Sequence, residues 1–129
     1  MAVLVGGLIS PQLAYANEEV RLIDIDIKPG SDPNSINPKS MGLVPVAILG
    51  SADFDVIEVD IATVTFGPEG AAPVHDGHLE DVNGDGLTDL VVHFVQKETG
   101  LSDSDTEAEL NGATLDGTEF CGMDDVKVK

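Results

Sequence analysis

Apolar residues in this chain alternate with polar ones and rarely recur at helical spacing. Ile23, Ile25 and Ile27 interleave with Asp24, Asp26 and Lys28, the period-2 signature of a half-buried strand. "PGSDPNSINPKS" (Pro29 to Ser40) reads as a turn-rich loop, because its prolines and Asx residues punctuate the chain. "GLVPVAILG" (Gly42 to Gly50) gives a second strand. Pro45 lacks an N–H for a ladder, which predicts an edge position or a bulge there.

A short helical turn is expected around Phe54 to Ile57, then a third strand from Ala62 to Phe66, closed by Gly67-Pro68. A short fourth strand falls within Pro73 to Glu80, and Leu90, Val92 and Phe94 put an apolar face on a fifth. Ala108 and Leu110 alternate, Asp116-Gly117 signals a tight hairpin turn, and Asp124 to Val128 alternates again. About seven short strands, with turns every 8 to 12 residues and no amphipathic helix, predict an all-β fold: an antiparallel β-sandwich with Greek-key links.

The N-terminus departs from this pattern. "MAVLVGGLISPQLAYA" (1–16) carries no charge, is apolar from Ala2 to Ile9, and ends in Ala-Tyr-Ala, which reads as a secretory signal peptide. Residues 17–129 then form a single domain that is secreted, extracellular or periplasmic. No later segment approaches the roughly 20 apolar residues of a membrane-spanning helix.

Charge narrows the partners. A net charge of −18, from 24 acidic and 6 basic residues, repels nucleic-acid phosphates and anionic lipid, and favours divalent cations. Cys121 is the single cysteine, so no intrachain disulfide forms; it reads as a small hydrophobe. No nucleophile elbow, H-E-x-x-H or phosphate loop occurs, and an enzyme is not expected.

Candidate chemistry concentrates in "EDVNGDGLTDLVVHF" (Glu80 to Phe94). Calcium takes six to eight oxygens from a compact loop, and here Asp81, Asn83, Asp85 and Asp89 stand at loop positions 1, 3, 5 and 9. The Leu87 carbonyl sits at position 7, and Gly86 permits the sharp turn. Asn83-Gly84 alone would also suit a plain hairpin turn. A hairpin has no need of acids at 81, 85 and 89, and this composition yields the pattern by chance only about 0.01 times per chain. Position 12 is Val92 where an EF-hand needs Glu, which removes the helix-loop-helix form.

The stretch resembles the strand-loop-strand calcium motif of FG-GAP and VCBS repeats, D-x-N-G-D-G-x-x-D leading into an apolar strand. No second NGDG occurs, so a propeller is not implied. More widely, "IDIKPGSDPNSINPKS", "VPVAILGS", "HLEDVNGDGLTDLVVHF" and "TEAELNGATLDGT" resemble bacterial exported modules without an assigned activity. That resemblance, over Ile23 to Thr118, implies an extracellular β-sandwich with one calcium loop. "ATVTFG" (Ala62 to Gly67) adds a fainter likeness to the cohesin-type, Ig-like sandwich.

The expected function is therefore an exported calcium-binding structural or interaction module, Ca²⁺ fixing a strand-loop-strand. The alternative is calcium-dependent recognition of a surface glycan or a protein partner. Aromatic stacking of sugars is disfavoured, since beyond the signal the only rings besides histidine are four phenylalanines that the core needs. A secondary candidate lies beside the loop: a hairpin closed there sets His78 opposite His93, with His75, Asp76 and Glu80 near, where imidazoles could share Zn²⁺ or Cu²⁺. Polar side chains on a solvated face are the plainer reading.

Overall fold

The computed structural model of the chain describes residues 19–129. The segment 1–16, read above as an export signal, lies outside the described residues. Among the described residues ten strands form: β1 (Arg21–Leu22), β2 (Ile25–Ile27), β3 (Ser35–Ile36), β4 (Leu43–Ile48), β5 (Val59–Phe66), β6 (His78–Glu80), β7 (Asp89–Val95), β8 (Glu107–Thr114), β9 (Glu119–Asp125) and β10 (Lys127–Val128). The sequence pattern gave about seven. The surplus of three is β1, β3 and β10, of two residues each and too short to display a period.

One sheet runs β1-β9-β8-β5 and the other β2-β4-β7-β6, with β3 and β10 as a separate parallel pair. All pairings are antiparallel except β1 with β9 and β10 with β3. The two sheets share one core, because alternate residues of each turn the same way. Ile25, Ile27, Val46, Ile48, Val92 and Phe94 from one sheet meet Val64, Phe66, Leu110 and Phe120 from the other. Phe66 and Phe94 span the interface with ring centroids 5.2 Å apart. Phe54 packs edge-on to Phe120 at 5.2 Å, so all four phenylalanines are buried and none is left as a sugar-stacking surface. The chain is thus an all-β sandwich of largely antiparallel strands, as its alternation predicts.

Two expectations are corrected. Pro45 lies in β4, an interior strand between β2 and β7, in unbroken register with β7, and so neither on an edge nor at a bulge of that pairing. The ladder tolerates it because its carbonyl accepts the Lys28 N–H, placing its nitrogen opposite the end of β2. Lys28 turns away there at φ 51°, so no ladder bond was required of the proline. Likewise, the loop from Pro29 to Ser40 contains β3, whose Ile36 is fully buried; β10 pairs with it and ties the C-terminus down.

The helical turn is a 3-10 turn at Val56–Glu58, capped by Asp55, whose side chain accepts the Ile57 N–H. β5 begins at Val59, earlier than the alternation suggested, and its register with β8 shifts between Asp60 and Thr65. No helix among the described residues is long and apolar enough to cross a membrane.

Candidate functional site

The acidic loop joins β6 to β7, with Glu80 opposite Asp89 as the closing pair of the hairpin. Its odd-numbered side chains fold back on the loop's own backbone. Asp81 accepts the Gly84 N–H on Oδ1 and the Gly86 N–H on Oδ2, both at 2.9 Å. Asn83 Oδ1 accepts from Asp85 N at 3.3 Å, and Asp85 Oδ1 from Leu87 N at 2.9 Å. Gly84 and Gly86 adopt φ of 73° and 85°, a left-handed backbone that side chains resist, and this lets the loop wrap around Asp81. Asp81, Asn83, Asp85 and Leu87 are all exposed.

Asp89 differs from the others. Its side chain is fully buried and holds two distant backbone groups: Oδ1 accepts the Gly50 N–H at 2.8 Å and Oδ2 the Val82 N–H at 2.9 Å. The second bond fastens the start of the loop to its end. The first reaches 39 residues back along the chain to the end of β4. Gly50 is required for this approach, since a Cβ there would stand 2.2 Å from the Thr88 carbonyl oxygen. The Asp89 charge reaches across the sheet: burial, then Asp124, then Asp89 raise Asp26 above the ordinary carboxylate value.

These residues fit a hard cation in donor chemistry. Every proposed side-chain ligand is oxygen, three are carboxylates, and among the described residues no Lys or Arg forms an ion pair with them. A carboxylate has about four acceptor sites, of which Asp81 and Asp89 each use two and Asp85 one, so free lone pairs remain. Among the described residues, no three His, Cys, Asp or Glu side chains already converge on a point where an ion could sit. The loop is arranged around backbone N–H groups, and binding an ion entails turning Asp81 and Asp85 inward.

The neighbouring histidines were expected with His78 opposite His93. The register instead places His78 opposite Val91, two residues from that expectation. A two-residue shift preserves the face, so His78 still lies diagonally beside His93, with ring centroids 5.9 Å apart. His75 also joins them, its ring 4.9 Å from that of His93. Its position follows from Val74, whose N–H donates to the His93 carbonyl at 3.0 Å, and from Gly77. Gly77 has φ 77°, and a Cβ on it would stand 2.5 Å from the Val91 carbonyl oxygen, so glycine lets this segment lie against β7. His75, Asp76 and Glu80 are exposed, whereas His93 is half-buried.

Compared with models of protein families, with characterised proteins and with solved structures, the chain matches none.

Proposed function

We propose that the chain is an exported, calcium-stabilised β-sandwich module with a structural or interaction role and no catalytic one. Asp81, Asn83, Asp85 and Asp89 would hold Ca²⁺ through side chains and Leu87 through its carbonyl. The observation that carries this reading is the oxygen-only loop whose three carboxylates, one of them fully buried, have no basic partner among the described residues. A divalent cation would offset that charge and cross-link the hairpin to the Gly50 turn through Asp89. Extracellular calcium modules bind at about 10⁻⁴ to 10⁻³ M. At ten times such a Kd, binding stabilises the fold by about 1.4 kcal/mol.

Thermal melting in millimolar Ca²⁺ against EDTA tests the reading. A higher midpoint in Ca²⁺, lost in Asp85→Ala, is the expected result; identical midpoints with no heat of calcium binding would contradict it. A second reading, calcium-dependent recognition of a glycan or protein partner, draws support from the exposure of Asp81, Asn83 and Asp85, which leaves one side of the loop open to a ligand.

A further inference from the structure

The hairpin carries different chemistry at the end away from the loop. His93, on β7, has the rings of both His75 and His78 beside it, at centroid distances of 4.9 and 5.9 Å. An imidazole centroid stands about 3 Å from an ion bound through either nitrogen, so two rings on one tetrahedral ion have centroids about 5 Å apart. The spacings of His75 and His78 from His93 bracket that figure, although among the described residues no three such side chains yet converge on one point, so an ion would draw the rings together.

The nitrogens are also in a suitable condition. His93 Nδ1 is buried and has no hydrogen-bond partner among the described residues, a deficit that a buried polar atom rarely carries. His78 Nε2 is 3.0 Å from Glu80 Oε1, a carboxylate–imidazole contact of the kind that orients a ligating histidine. His75 takes only a long 3.4 Å bond from the Gly77 N–H.

From this geometry we infer that His75, His78 and His93 form a second cation site, selective for an imidazole-preferring divalent transition metal such as Zn²⁺, with Glu80 as the positioning residue for His78. The rings are tilted at 48° and 31° to that of His93, so coordination turns the exposed His75 and His78 toward it. This inference is independent of calcium in the neighbouring loop. Imidazole suits Zn²⁺ and Cu²⁺, while Ca²⁺ prefers the oxygens.

The test is calorimetric titration of the full, metal-stripped chain with ZnCl₂, in buffer holding 10 mM CaCl₂ to occupy oxygen sites. One Zn²⁺ per chain is expected. His75→Ala and His78→Ala, both at exposed positions, should each weaken binding more than tenfold. Glu80→Gln should weaken it about tenfold or more. Cu²⁺ should show nitrogen hyperfine coupling in its electron paramagnetic resonance spectrum. Absence of saturable Zn²⁺ binding, or affinity unchanged in His75→Ala and His78→Ala, overturns the inference; circular dichroism confirms that both variants are folded.

Discussion

The two ends of the β6–β7 hairpin lie only a few residues apart and differ in almost every physical respect. At the turn stand oxygens, mostly exposed, each carboxylate already engaged by backbone N–H groups. Toward the other end the rings of His75 and His78 lie beside that of His93, which among the described residues has one buried nitrogen unpartnered. The turn is arranged by local sequence, since Asp81, Asn83 and Asp85 reach only two to five residues ahead. The histidine face depends on register and on how the 74–77 segment lies against β7. Donor type sets which ion each end would take, and the kind of contact sets how readily each was visible in the sequence.

Asp89 is where the loop stops being local, and the largest effect is expected there. Asp89→Ala leaves the buried Gly50 N–H without its acceptor and strips the Val82 N–H of its own, at about 1 to 3 kcal/mol each, so a loss of roughly 2 to 6 kcal/mol should appear in denaturant unfolding. The loss should be present in EDTA as well as in Ca²⁺. Loss only in Ca²⁺ would make Asp89 a ligand without a structural role.

Gly50→Ala probes the same junction from the other side. Its Cβ would collide with the Thr88 carbonyl, and a destabilisation of roughly 1 to 3 kcal/mol is expected from the same unfolding curves. Asp85→Ala should behave oppositely to both. Its single exposed hydrogen bond contributes little, so stability in EDTA should hold while the calcium-dependent gain of about 1.4 kcal/mol disappears.

The histidine end gives the smallest effect. His93 is held below the ordinary imidazole pKa, so with chelator present the unfolded chain takes up a proton more readily than the folded one. Stability should therefore be complete above about pH 6.5 and decline as pH falls through the folded-state value. His93→Gln should flatten that part of the pH profile relative to the parent chain.

The strands that alternate over several residues were legible in the sequence, as were the burial of the phenylalanines and the positions of Asp81, Asn83, Asp85 and Asp89 in one hairpin loop. Period-2 patterning reports which face is buried, and Asx–glycine runs report tight turns. Pairing between distant segments leaves no such trace. β3 and β10 are two residues each, too short to show a period. Pro45 is acceptable in an interior strand only because β2 ends opposite it. The Asp89–Gly50 bond joins positions 39 apart, and nothing in either local sequence announces the other. The histidine register differs by two from the expected one because the hairpin closes at Glu80 and Asp89, which sets His78 opposite Val91, yet the shared face survives since a two-residue shift preserves it.

The most direct measurement is an amide NMR titration of the full chain with CaCl₂. The Gly84, Gly86 and Leu87 N–H groups donate to Asp81 and Asp85, and those of Gly50 and Val82 to Asp89, so these five amides report on the proposed ligands one by one. Saturable shifts at these amides, with a midpoint at or below the millimolar range and Glu119–Asp125 unmoved, are predicted. Spectra that stay superimposable up to 10 mM calcium would contradict the calcium loop itself.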